Sequence, residues 1–145
     1  MNDSHFIYLT HTDDIESFPE NEVSDFQVNI KPPVKIGFDE IWSLAVTEIN
    51  FTPNSLEPIL LCCNICQDSY VGNKQFPVLR KLYPSSPGNM HFFRYAFPYY
   101  VKTRPDTVQR LRLYLIDDKG KPLSFTDTAL NCTLHLRKHS LFTQT

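Results

Sequence analysis

Glycine is scarce in this chain. Of 145 residues four are glycine, at positions 37, 72, 88 and 120, too far apart to build a glycine-rich loop. Phosphate-cradling loops need several glycines close together, so no phosphate-binding motif is present. Long apolar runs are also missing: the longest, Ile59 to Cys63, falls far short of the roughly 20 residues a membrane helix requires. An excess of one charge is absent too. A net charge of -2 gives no general attraction to nucleic acid or acidic membranes. Met1 to His5 lacks the basic start and apolar run of a signal peptide. The expectation is a chain that is not secreted, has no membrane partner and stays on the cytosolic or nuclear side. The triplets Asn2-Asp3-Ser4, Asn50-Phe51-Thr52 and Asn131-Cys132-Thr133 then carry little weight as glycosylation sites.

Four cysteines fit that compartment. Cys63 and Cys66 have zinc-ribbon spacing, but no second ligand pair accompanies them. The expectation is reduced, packed thiols and no metal. On one extended strand, Cys62 and Cys66 would share a face and Cys63 would point to the other.

What the chain does have is aromatics, prolines and alternation. Phe 11 and Tyr 7 must fill much of the interior. Phe26, Val28 and Ile30 alternate with Gln27 and Asn29. Trp42, Leu44 and Val46 alternate with Ser43, Ala45 and Thr47, and Leu111, Leu113 and Leu115 with Arg110, Arg112 and Tyr114. Phe93, Tyr95 and Phe97 follow the same rule, as do Leu130, Cys132, Leu134 and Leu136. Period two marks half-buried strands, and no window sustains a helical period. The eleven prolines fall mostly between these runs, where a missing ladder donor is tolerated. Asp117-Asp118-Lys119-Gly120 predicts a tight turn with Gly120 at positive φ.

Strands are predicted near 5–10, 24–30, 41–49, 59–67, 76–82, 91–97, 108–116 and 130–137. The fold class is therefore all-β: a single domain over residues 1–145, an antiparallel β-sandwich of about eight strands. Eight is the jelly-roll number, but the count alone leaves immunoglobulin-like and other Greek-key sandwiches open.

No catalytic, cofactor-binding or metal residues are assigned, and no enzyme is expected. His11, Asp13 and Asp14 read as a solvated turn, and His135 as one member of a surface ladder beside Arg137. Glu48, closing an apolar strand, is expected to need an arginine or a backbone amide if buried. Arg104, Arg110, Arg112, Arg137, Lys138 and His139, with Tyr99, Tyr100 and Tyr114 nearby, could line a single-strand nucleic-acid groove. Solvated strand faces and a subunit interface explain them better, so nucleic acid is not the expected partner.

The order of certain pieces is more telling than any one of them. Phe6-Ile7-Tyr8-Leu9-Thr10 opens the chain, followed by the turn Phe18-Pro19-Glu20-Asn21, the strand Phe26 to Ile30 and the Trp42 to Ile49 strand closing in Glu-Ile. Then come Cys62 to Asp68, Val71-Gly72, Pro77-Val78-Leu79-Arg80, the Asp117 to Gly120 turn and Thr133-Leu134-His135. In this order, along nearly its whole length, the chain resembles the small virion proteins of Polinton/Maverick-type elements and adintoviruses. It departs from them in His11-Thr12-Asp13-Asp14, where a small polar loop is usual, and in lacking the glycine often found within the Trp strand, with Ala45 nearby instead.

The resemblance implies a minor capsid component: a single jelly-roll subunit that forms the penton at icosahedral vertices. Its partners would be its own copies, five in the vertex case, and a major capsid protein. Its location would be the virion, and the host cytoplasm or nucleus during assembly. Phe38, Tyr70, Tyr83, Phe92, Tyr99 and Tyr100 are the candidate interface residues. Two alternatives are a β-sandwich binding module (cement, spike-base or host-domesticated protein) and a nucleic-acid-binding packaging accessory.

Overall fold

The computed structural model describes residues 3–53, 55–85, 88–123 and 129–139. The described residues form strands and connecting loops without helix. Long strands are β1 (Ser4–Thr10), β2 (Asp25–Lys35), β3 (Ile41–Phe51), β10 (Thr107–Asp117) and β11 (Asn131–His139). Shorter ones are β4 (Ile59–Cys63), β5 (Ser69–Val71), β6 (Lys74–Phe76), β7 (Val78–Leu82), β8 (His91–Arg94) and β9 (Val101–Lys102).

One sheet runs β1-β11-β3-β8, with β9 also on β3, and the other runs β2-β10-β4-β7. Every pairing among them is antiparallel. The inner residues of the alternating pattern meet between the sheets: Leu44, Val46, Ile49 and Phe51 of β3 and Leu134 and Leu136 of β11 share one buried cluster with Phe26, Leu61, Leu111, Leu113 and Leu115. Each such side chain contributes about 1.5–3 kcal/mol on leaving water. The antiparallel β-sandwich predicted from period two is the fold.

The short hairpin β5–β6 turns at Gly72 (φ 62°) and covers part of the second sheet's outer face. Leu60, Cys62 and Ile116 are buried there with Val71, Phe76, Val78 and Tyr114 packed against them. This corrects the reading of 59–67 as one strand. β4 ends at Cys63 because the chain turns there, the Cys66 amide donating to the Cys63 carbonyl at 3.0 Å. Cys63 and Cys66 therefore lie together in the main core, while Cys62 faces the hairpin. All four cysteines are buried and free. The predicted Asp117–Gly120 turn is present: Gly120 has φ 85°, and Asp117 Oδ1 accepts from the amides of Lys119 (2.9 Å) and Lys121 (2.8 Å).

β3 carries an irregularity that decides which residues face out. Opposite β11, Val46 pairs with Leu134 and Glu48 with Thr133, so Thr47 is an extra residue. A bulge of this kind shifts the alternation by one. Ser43 and Ala45 face outward before it, Glu48 and Asn50 after it. The Thr47 carbonyl takes the Tyr95 amide at 3.0 Å.

Candidate functional site

The bulge, the register and the alternation together compose the outer face of the first sheet. β1 presents Ser4, Phe6 and Tyr8, which lie opposite Arg137, His135 and Thr133 of β11. His135 in turn lies opposite Ala45 and Arg137 opposite Ser43 of β3. Tyr100, just before β9, reaches over this face.

His135 is held from three sides. Its Nε2 lies 2.6 Å from Ser4 Oγ and its Nδ1 2.7 Å from the Tyr100 hydroxyl. The Phe6 ring stacks on it at 4.3 Å, 10° from parallel. The Arg137 guanidinium sits 3.5 Å from the Tyr100 ring centre, a cation–π contact. Burial, with Arg137 adding to it, pushes the His135 pKa below the usual histidine value, so the ring is neutral at pH 7. One nitrogen then donates and the other accepts. A serine, a histidine and an orienting third group can activate a nucleophile, and catalysis also draws on donors aimed at developing charge and on exclusion of water. Here the chain of bonds lies on an open sheet face and fixes the rings in place. His135 is thus a structural hub rather than a rung of a solvated ladder.

Glu48, turned outward by the bulge, is half-exposed rather than buried. It accepts from Thr133 Oγ1 at 3.2 Å and faces Arg94 Nε at 3.4 Å, so the expected arginine partner is there. The His11–Asp14 loop is more ordered than a solvated turn requires. Asp13 Oδ2 accepts from the Thr10 amide at 2.9 Å, and Asp14 Oδ2 accepts from the Asn29 amide at 3.0 Å, tying the loop to β2. Among the described residues, no three His, Cys, Asp or Glu side chains gather as a metal ion requires.

The six interface candidates separate. Phe38, 93% exposed, stands in the β2–β3 loop at the end of the sandwich where loops 36–40, 64–68 and 103–106 hydrogen-bond to one another. Tyr70 is on the β5–β6 hairpin, and Tyr83 follows β7 toward the opposite end. Phe92 and Tyr99 are exposed at the β8–β9 side of the first sheet. Tyr100 is half-buried in the His135 cluster. They do not make one patch. Missing from them are Phe6 (57% exposed), Tyr8 (73%) and Phe97. The signal for the first two was available: Phe6, Ile7, Tyr8 and Leu9 are apolar on both faces of one strand, which an ordinary half-wet strand is not.

The cations proposed as a groove are divided and largely neutralised. Arg112 makes a two-pronged contact with Asp25 (2.9 and 2.8 Å) on the second sheet. Arg104 pairs with Asp68 at 2.6 Å and Lys138 with Glu40 at 2.8 Å. Arg110 lies 5.6 Å from the Phe18 ring centre. Comparison with known protein families finds no match for this chain, and comparison with curated proteins finds none either.

Proposed function

We propose that this protein is a structural rather than catalytic subunit: a single jelly roll serving as a minor, vertex-type capsid component of a virion. The observation that carries the reading is the pairing of the strands. Set aside the β5–β6 hairpin, count β8 and β9 as one broken strand, and number the rest in chain order. First pairs with last (β1 with β11), second with second-last (β2 with β10), third with third-last (β3 with β8 and β9), and the middle two with each other (β4 with β7). That is a long hairpin rolled up on itself, closed by β11 on β3 and β10 on β4. This pairing supports reading the sandwich as an eight-stranded jelly roll, a fold used by capsid proteins and also by lectins and cupins.

Fold alone does not choose among those uses. The capsid reading is supported by the resemblance in motif order and by large apolar side chains left exposed at both ends and on one sheet face, with Phe38 and Phe97 almost fully exposed. Head-to-tail contacts between such surfaces close into a ring.

Mass photometry of the purified protein, negative-stain imaging and co-expression with a major capsid protein test the proposal. Five-fold rings, or incorporation into a capsid, are expected. A protein that stays monomeric at high concentration and fails to join the major capsid protein sinks it. A β-sandwich module binding one partner is the second reading, favoured by the concentration of Phe6, Tyr8, Tyr100 and Arg137 on a single sheet face; a stable monomer by light scattering supports it.

A further inference from the structure

The sandwich has four sheet edges, and three of them are blunted. β2 carries Pro32 and Pro33, where its register with β10 breaks between Val108 and Arg110. β7 carries Arg80 and Lys81 within five residues. The β8–β9 edge is made of two short strands with Pro98 between them. Prolines, cations and shortness are the usual means of keeping an edge from pairing with another chain. β1 has none: Ser4-His5-Phe6-Ile7-Tyr8-Leu9-Thr10 contains no proline, acid, lysine or arginine.

The phase of its hydrogen bonds is fixed. The Lys138 amide donates to the Asp3 carbonyl at 2.8 Å, and with the antiparallel register this sets Asp3, His5, Ile7 and Leu9 toward β11. The amides and carbonyls of Ser4, Phe6, Tyr8 and Thr10 point the other way. Those of Thr10 are taken by Asp13, through its carboxylate and its amide. Among the described residues, nothing pairs with those of Ser4, Phe6 and Tyr8.

We infer that this edge pairs with the β1 edge of a second copy, antiparallel, about a two-fold axis through Phe6. Three observations select the copy over another strand. Among the described residues the open edge has three residues centred on Phe6, so Phe6 opposite Phe6 and Ser4 opposite Tyr8 uses each of their free donors and acceptors, each pair exchanging two bonds. The Asp13 cap on Thr10 stops the open edge at Tyr8, so shifting the axis toward Ile7 leaves Ser4 without a free partner. The strand bears no acid, lysine or arginine, so identical copies meet without the repulsion that like charges directly opposite would cause. This contact is two-fold and self-complementary, and it stands independently of the capsid reading.

The test is hydrogen exchange read by NMR over a concentration series, beside sedimentation analysis. Expected are a dimer and amides of Ser4, Phe6 and Tyr8 whose protection rises with the dimer fraction, while His5, Ile7 and Leu9 are protected throughout. Phe6→Pro deletes an outward N–H but no bond to β11, and is expected to give a folded monomer. Phe6→Lys leaves the backbone whole, sets two cations opposite each other at the axis, and is expected to weaken the dimer about two- to fivefold. The inference is overturned by a monomer at every concentration, by association with the Ser4, Phe6 and Tyr8 amides still exchanging freely, or by Phe6→Lys associating as strongly as the parent. Five-fold rings with an exchange-open β1 edge would remove this inference and leave the capsid proposal; protected two-fold dimers that form no rings and fail to join a co-expressed major capsid protein would do the reverse.

Discussion

A Cβ on Gly120 would come within 2.8 Å of Phe76 Cε2. The Asp117–Gly120 turn is thus pressed against the hairpin that covers the second sheet. Gly120→Ala meets both a positive φ of 85° and that ring, and is expected to cost about 1–3 kcal/mol. At Gly72 the φ is also positive, but nothing lies within 4 Å of the added Cβ. Gly72→Ala is expected to cost about 1 kcal/mol. Urea unfolding of both variants isolates the ring contact as the difference; equal losses would remove it.

Tyr100→Phe keeps the ring under Arg137 and deletes the hydroxyl on His135 Nδ1. A loss of about 0.5–1.5 kcal/mol is expected, with a change in the His135 ring nitrogen shifts. Unchanged shifts would mean that the hydroxyl does not hold the ring.

The lowered pKa of His135 has a definite sign. Folding favours the neutral ring, so its contribution is complete above the ordinary value of 6.5 and is lost as pH falls through the folded midpoint. NMR titration is expected to place that midpoint below 6.5. A midpoint above it would contradict the burial and the Arg137 neighbour that cause the shift.

Glu40 is held down to about 2 by its bond to Lys138, helped by the Gly37 amide. Its contribution to stability is present above pH 4.5 and disappears as pH falls toward about 2. Glu40→Gln is expected to flatten the fall in thermal midpoint across that acid range. A parallel curve for the variant would show that other carboxylates cause it.

Burial pushes the Cys62 thiol up to about 12 and the Cys132 thiol up as well. Since all four thiols are also buried, none is expected to react with a thiol reagent at pH 8 in the folded protein, and all four are expected to react in denaturant. Rapid labelling of the native protein would mean that the core opens.

The sandwich was legible because period two runs through β11, through Leu111 to Leu115 of β10 and through β3 up to its bulge, and because aspartate and glycine at 117–120 mark one turn. The strand over 59–67 was read too long because Cys62-Cys63-Asn64-Ile65-Cys66 has no proline or glycine to mark its turn. Whether Glu48 is buried was left open in the sequence because a bulge depends on the partner's register, which a single strand does not encode. The His135 cluster was out of reach for the same reason: Ser4, Tyr100 and His135 meet only once β1, β3 and β11 are aligned. The exposed aromatics could be named, but not which of them share a face.

The rolled pairing of first strand with last has a consequence for how the chain is born. β1 has no partner until residues 131–139 leave the ribosome, and β2 waits for 107–117. Little of the sandwich can close while the chain is growing. Folding is therefore late, dominated by contacts between distant segments and slow, on the millisecond-to-second scale of all-β domains. During that interval both edges of Ser4–Thr10 are open, so the nascent chain is at its stickiest before it has a fold to protect it.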